Sequence, residues 1–405
     1  MDEYKATINI LNNVYSGKNL NEELFEYKSN ANIAKIRLLV YGVIRNYFLI
    51  KFYIKNITNY VSKQNEILVQ IGIFELNESN KPEYAIVNNL VSISTINNKK
   101  FINWVLREYQ RNSELLRKLA EKDYSIKYNI PNWMIDILKK QYKKEYMNFL
   151  EGFNFHPAFG LRVNIKNKSL EDYLSILDNN DIKYKLIKNK IYLKQPLNIE
   201  DIPNFNIGYV SIQDIAAQYL VDILNRNNVI PKKVIDACAA PGGKTCQILE
   251  NYNCDIIALD ISNTRLEKVN QNLKRLNLKA EVLVGNAANK DWWNTKKVDL
   301  IVADVPCSAS GTIKRNPDIK INRNYNDVLK FVETQRRIII NMWDCLEHNG
   351  FLLYITCSIF REENQDNLLW FRDNIKGFSI IDELQIYPTE YNDSLYYALV
   401  KKIDL

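Results

Sequence analysis

A chain of 405 residues exceeds the roughly 100–200 residues of an ordinary domain, so two or three domains are expected. Hydrophobic residues make up 46% and charged residues 25%, with 12 Gly and 10 Pro, which excludes collagen-like, low-complexity and wholly disordered classes. Lysine and arginine number 54 against 47 acids, a formal charge of +7 that permits an anionic partner such as nucleic acid without requiring one.

The opening MDEYKATINI is acidic where a secretory leader is basic, and no stretch reaches the ~18 apolar residues of a membrane span; a cytoplasmic protein with no membrane partner is expected. The next hundred residues read helix after helix. Ile33, Ile36, Val40, Val43 and Tyr47 form one stripe at helical spacing, and Val87, Leu90 and Val91 begin another, predicting an all-α domain over 1–122. Ala120 to Ile130 lose this period, and PNWMIDILKKQY restarts a short helix with Pro131 near its first turn. From Leu161, strand-like LRVNI, helix-like LEDYLSILDN and strand-like YKLI and IYLK predict a small α+β subdomain within 123–205.

Over 206–405 the pattern changes again. VIDACA, DIIALD, AEVLV, VDLIVAD and FLLYITC are short apolar runs separated by helical segments, which specifies a parallel sheet with helices on both faces. One helix has Ser262 as N-cap and Leu266, Val269, Leu273 and Leu276 on its buried stripe. Another, from Tyr325 to Leu346, is predicted to bury Leu329, Val332, Ile339, Met342 and Leu346.

In such a sheet ligands gather beyond the carboxyl ends of the strands. The first informative end is VIDACAAPGGKT, where small residues, Pro241, Gly242 and Gly243 lead into a helix whose free N–H groups suit a ligand. It is neither a dinucleotide G-x-G-x-x-G nor a phosphate loop, since G-x-x-x-x-G-K-T needs glycine at 238 and the chain has Cys238. The second end closes on Asp260, where a carboxylate can accept both hydroxyls of a ribose or simply cap the next helix. Beside the glycine turn, the reading of a nucleoside-containing cofactor is favoured.

The third and fourth ends are ADVPCS, with Asp304 and Cys307, and YITCS, with Cys357. The sheet brings both cysteines to one edge. Cysteine attack suits an electron-poor ring carbon, but a thiol with pKa about 8.5 must be ionised by its surroundings or by a base, and no histidine motif stands ready. Cys238, Cys246, Cys254 and Cys345 read as small hydrophobes. With no CxxC pair and only two histidines, neither a disulfide framework nor a metal site is expected. The loop GTIKRNPDIKINR offers Lys314, Arg315, Lys320 and Arg323, which could hold a polyanion's backbone or form a solvated face.

Taken together, DACAAPGGKT (Asp236 to Thr245), the Asp260 strand end, DVPCSASGTIKRNPDIK (Asp304 to Lys320) and TCS around Cys357 resemble the motif set of bacterial ribosomal RNA cytosine-C5 methyltransferases. The resemblance extends through GYVSIQD and LRVN, and the N-terminal LVYGVIRN and FINWVLREYQR resemble the NusB-like RNA-binding domain of the RsmB, or Sun/Fmu, branch. It implies an all-α NusB-like domain, a small α+β RNA-binding middle subdomain and a C-terminal α/β, Rossmann-like class I methyltransferase. The cofactor implied is S-adenosyl-L-methionine, held by Cys238, Ala239, Ala240, Pro241, Gly242, Gly243, Lys244, Asp260 and Asn286, with Asp304 between cofactor and base. Cys357 is implied as the nucleophile on C6, Cys307 as the residue that assists product release, and Asp304 as the stabiliser of the protonated ring nitrogen. The implied partner is 16S ribosomal RNA, bound by a monomer, with Arg162 of LRVN joining the four loop cations as RNA contacts.

Two departures from the family pattern stand out. GNAAN presents Asn286 where the family often has an acid, and YNDSLYYALVKKI lacks the glycine that usually precedes its aromatic pair. Three other readings differ in substrate or class: the same chemistry on tRNA, a non-catalytic RNA-binding factor, and a nucleotide hydrolase built on GGKT.

Overall fold

The structure, a computed structural model, describes residues 2–404. It divides into two compact units, one holding the chain up to Tyr146 together with Ile313–Arg323, the other holding Met147–Thr312 and the chain from Asn324 onward.

The first unit is helical, with long helices at Asp2–Tyr15, Ile33–Arg45, Tyr47–Ile57, Lys63–Glu78, Glu83–Ile93 and Lys99–Ala120. Its core takes Ile36, Val40 and Val43 from the expected stripe and Val87 and Leu90 from the second. Tyr47 opens a new helix, because the chain turns at Asn46. Glycine inside a helix costs about 1 kcal/mol, yet a Cβ on Gly42 would sit 2.0 Å from Phe74 Cζ. The glycine lets the two helices close. The helical unit runs past the expected boundary at 122, taking in Tyr124–Lys127 and Asn132–Tyr142.

The second unit begins with a small antiparallel sheet of β1 (Phe159–Val163), β2 (Tyr184–Ile187), β3 (Lys190–Leu193) and β4 (Val210–Ile212), in the order β2-β3-β1-β4. The helix Leu170–Asn179 packs Tyr173 and Leu177 on Leu161, Ile191 and Leu193. Strand β4 pairs with β1, so this subdomain extends beyond the expected end at 205.

The larger sheet is built from β5 (Lys233–Ala237), β6 (Asp255–Asp260), β7 (Glu281–Val284), β8 (Val298–Asp304), β9 (Leu346–Thr356), β10 (Phe378–Ile386) and β11 (Leu395–Lys402). Their order is β10-β11-β9-β8-β5-β6-β7. The five foreseen strands pair in parallel, whereas β10 and β11 add an antiparallel edge that the sequence reading did not foresee. Successive strand residues face opposite cores: Val234, Leu300 and Val302 on one side, Ile235, Ile301 and Ala303 on the other.

Helix Asn263–Leu276 is as foreseen, with Ser262 Oγ accepting the Arg265 N–H and the three leucines and one valine of the stripe all buried. Helix Tyr325–Cys345 differs by one position: Val328 is buried and Leu329 is exposed. The strand order reverses between β5 and β8, which opens a crevice at their carboxyl ends. Among the described residues no helix is long and apolar enough to cross a membrane.

Candidate functional site

The turn after β5 departs from ordinary backbone at two points. Cys238 has φ of 65° and Gly242 has φ of 96°; the second value is one that glycine adopts without strain. A Cβ on Gly242 would also press on Val269 Cα at 3.2 Å, while one on Gly243 would meet only Gln213 Nε2 at 3.9 Å. The start of helix Gly243–Asn251 is therefore open on the Gly243 side. Asp260 is buried, with Oδ2 accepting the Ala240 N–H at 3.1 Å and Oδ1 accepting the Ser262 N–H at 3.0 Å. It shapes the turn and the helix entry together.

A cleft of about 220 Å³ opens beside Cys238, Asp260, Arg265, Asn286 and Pro306. Asn286 uses its side-chain oxygen locally, accepting the Ala288 N–H at 2.9 Å. An amide here adds no charge to the cleft. Arg265, which the sequence reading passed over, donates to the Ala240 carbonyl at 2.8 Å from a helix whose first residues follow Asp260. The open turn and a buried acid at the next strand end, both beside this cleft, fit a nucleoside-bearing cofactor.

Arg162 differs from its expected part as an RNA contact. Its guanidinium is enclosed and meets Glu250 twice, through Nε at 2.7 Å and an Nη at 2.8 Å, and donates to the Gly243 carbonyl at 2.9 Å and to Gln213 at 2.8 Å. With four of its five N–H donors on these acceptors and the guanidinium enclosed, it is not presented to a phosphate. It braces the glycine turn from within.

Between β5 and β8 lies a charged triad. Lys244 Nζ donates to Asp304 Oδ2 at 2.5 Å, and Thr245 Oγ1 donates to Asp236 Oδ2 at 2.5 Å. Burial alone would pull the Lys244 ammonium down, but Asp304 and Asp236 more than offset it and hold it raised. Burial pushes Asp236 up to about 7, against the opposing pull of Thr245 and Lys244. Its Oδ1 is buried without a hydrogen-bond partner.

Cys307 and Cys357 stand at the adjacent ends of β8 and β9, with their sulfurs 3.3 Å apart. All six cysteines are free. The Cys307 thiol is pushed well above its usual value, first by its contact with Cys357, then by burial and by the nearby charges of Cys357 and Glu363. Two such neighbours cannot both ionise. Gly311 fits tightly against both the Cys357 and Ser394 carbonyls, donating to the first at 2.8 Å and accepting from the Ser394 N–H at 3.0 Å. Ser394, near the expected missing glycine, donates its hydroxyl to the Ile386 carbonyl at 2.8 Å and so secures the turn. Cys246 and Cys345 are buried as expected, their thiols pushed up to about 12 and 11 by desolvation.

The basic loop also differs from expectation. Ile313–Arg323 packs within the helical unit, where Lys320 donates to the Arg45 carbonyl at 2.5 Å and Arg45 donates to the Lys314 carbonyl at 3.4 Å. Lys314 and Lys320 are buried. Burial and then the charge of Arg45 pull the Lys320 ammonium down to about 7, so neither lysine is a free cation awaiting a phosphate. Arg315 and Arg323 are half-buried.

Comparison with known proteins covers most of the chain. The family described as 16S rRNA methyltransferase RsmB/F matches residues 223–401, its ferredoxin-like domain matches 130–200, and the NusB family matches 3–111. Ribosomal RNA small subunit methyltransferase B of Proteus mirabilis is 32% identical over 412 residues, spanning 98% of this chain and 97% of its own. The chain belongs to the RsmB/F methyltransferase family. Family members are S-adenosylmethionine-dependent methyltransferases, and this chain carries both the methyltransferase domain and the NusB-like domain. Two solved structures share the fold. That of PH0851 superposes with TM-score 0.77 at 22% identity over 98% of this chain and 99% of the other. A methyltransferase homolog from Pyrococcus horikoshii superposes with TM-score 0.60 at 23% identity over 69% of this chain and 98% of the other.

Proposed function

We propose that this methyltransferase modifies C5 of a cytosine in 16S ribosomal RNA through a covalent adduct between Cys357 and C6 of the base. The observation that carries this reading is the pair of thiols 3.3 Å apart at two adjacent strand ends, beside the Lys244–Asp304 ion pair. One thiol can address C6 while the other addresses C5.

Cytosine C5 is a weak nucleophile until a thiolate adds to C6, which moves an electron pair onto C5 and N3. The Lys244 ammonium, paired with Asp304, brings a positive charge to this end of the site, where no histidine stands. N3 takes up a proton from water as the thiolate adds, which neutralises the charge that reaches it, and Asp304 accepts a hydrogen bond from the resulting N3–H. S-adenosylmethionine, when bound, supplies the electrophilic methyl group that C5 takes; the turn from Cys238 to Lys244, with Asp260 and Asn286, is the set that would hold it. Elimination then requires loss of the C5 proton and departure of the Cys357 sulfur as thiolate.

Cys307 suits that last step. The largest cause of its raised value is its hydrogen-bond contact with the Cys357 sulfur, ahead of burial and of charge, and once that sulfur is bonded to C6 it holds the Cys307 proton less strongly. Cys307 therefore ionises more readily once the adduct exists, when a base for the C5 proton is needed. The target base must leave its stack to reach the thiols.

The test is incubation of the protein and labelled S-adenosylmethionine with unmodified 16S RNA and with tRNA, followed by bisulfite mapping. The expected result is one protected cytosine in 16S RNA, dependent on Cys357. Protection only in tRNA would reassign the substrate, and RNA binding without any methyl transfer would favour a non-catalytic factor.

A further inference from the structure

The residues that follow the two site cysteines are tied to one buried carboxylate. Glu363 is fully enclosed, in the short helical turn Arg361–Glu363 beyond β9. Its Oε1 accepts the Ser308 backbone N–H at 2.8 Å, and its Oε2 accepts the Ser358 hydroxyl at 2.5 Å. Gln335 Nε2 reaches the same Oε1 at 3.0 Å and also donates to the Pro306 carbonyl at 3.0 Å. Cys307 is thus held through the residue on each side of it, and Cys357 through the residue after it.

The Tyr354 hydroxyl lies 2.7 Å from the Glu363 carbonyl oxygen and 3.0 Å from Gln335 Oε1, which fixes the bracing groups themselves. Burial pushes the Glu363 carboxyl up, while Ser308, Ser358 and Gln335 pull it down.

The two loops leave different strands and are 50 residues apart in sequence. Nothing covalent joins them locally. Their sulfurs must nonetheless address adjacent atoms of one ring, and a misplacement of about 1 Å can cost about 100-fold in rate. We propose that Glu363 is a positioning residue for methyl transfer: its carboxylate couples the Cys307 loop to the Cys357 loop and sets the spacing of the two thiols. This rests on the two-cysteine reading above.

Glutamine at 363 can keep both arms, accepting from Ser308 through its oxygen and donating to the Ser358 hydroxyl through its NH2 group. Alanine keeps neither. An arylarsenoxide reads the spacing without RNA: its arsenic–oxygen bond is replaced by bonds to two sulfurs, and the two thiol protons leave with the oxygen as water. Capture requires both sulfurs within reach of one arsenic, and Cys307→Ala and Cys357→Ala define the background.

With Glu363→Ala the expected result is arsenical capture slowed about tenfold or more and kcat lowered about 100-fold, with KM and cofactor affinity near wild type. Glu363→Gln is expected to restore both. A folded Glu363→Ala protein, with wild-type cofactor affinity, that captures the arsenical and turns over like wild type overturns the proposal. If the alanine variant does not fold, Ser358→Ala decides beside Ser308→Ala: the first removes the Oε2 arm together with the direct Ser308 Oγ–Ser358 Oγ contact at 3.2 Å, the second removes that contact but keeps the Ser308 N–H on Glu363; capture slowed by the first and not by the second supports the role, and equal capture by the two overturns it. Wild-type protein that captures the arsenical yet methylates no cytosine would overturn the two-cysteine reading and leave the capture comparison to judge the spacing role on its own.

Discussion

The glycine turn after β5 and the thiol corner after β8 and β9 lie at neighbouring strand ends, and each is braced by a buried glutamate in a different way. At the glycine turn the group to be held is the Gly243 carbonyl, an acceptor, so Glu250 works through the donor fork of Arg162. At the thiol corner the groups to be held are the Ser308 N–H and the Ser358 hydroxyl, both donors, so Glu363 binds them directly. Whether the bracing acid needs a cation follows from the polarity of the groups it supports. The difference also bears on energetics, since an ion pair broken on one side leaves a bare buried charge, whereas a carboxylate among neutral donors loses its bonds one at a time.

The sharpest break in this comparison is chemical. Cys357→Ala is expected to reduce methylation to background in a labelled-methyl assay while cofactor binding persists, whereas a change on the glycine-turn side acts through stability and cofactor affinity. Arg162→Ala should cost about 3–5 kcal/mol in urea denaturation by stranding Glu250. The double variant Arg162→Met with Glu250→Leu should recover most of that loss. Equal stability of the single and double variants would contradict the ion-pair reading.

Asp236, between the two regions, gives a pH signature. Its folded value of about 7 lies above the ordinary ~3.9 of an unfolded aspartate. Its contribution to stability is therefore full below about pH 4 and is lost as pH rises through 7. Against Asp236→Asn, wild type should lose up to about 1.4 kcal/mol per pH unit across that window. Parallel stability profiles for the two proteins would refute the assignment. The smallest effects lie at the rim: Ser262→Ala should cost about 1 kcal/mol through the lost cap, and Leu329→Ala should stay within about 0.5 kcal/mol. A large loss at 329 would contradict its exposure.

The front of each site was legible in the sequence because strand ends and turn residues are contiguous there: DACAAPGGKT, the Asp260 strand end, ADVPCS and YITCS all lie at the strand ends where they were expected. The backs were not. Glu363 stands in the run REEN, which looks like any solvated charged segment, and only the fold turns it inward. Its sole advance signal was the nearness of an acidic run to TCS. Arg162 read as an RNA cation for the same reason, since composition does not say that Glu250 waits behind it.

Periodicity located the helix after Asn324, but the apolar pair at 328 and 329 left its phase open by one residue, and Val328 is the one buried. The antiparallel edge escaped notice because β11, within YNDSLYYALVKKI, is buried along a continuous run without alternation and was read only for its family pattern. The cations of 313–323 read as RNA contacts or a solvated face, whereas burial of Lys314 and Lys320 depends on a helical unit remote in sequence.

The most direct test of the two-cysteine chemistry is to mix Cys307→Ala protein with 16S RNA and S-adenosylmethionine and run the products on a denaturing gel, beside the protein lacking both thiols. A protein–RNA adduct that accumulates with Cys307→Ala and is absent when Cys357 is also replaced is the predicted result. An adduct that persists without Cys357, or normal turnover by Cys307→Ala with no adduct, would contradict it.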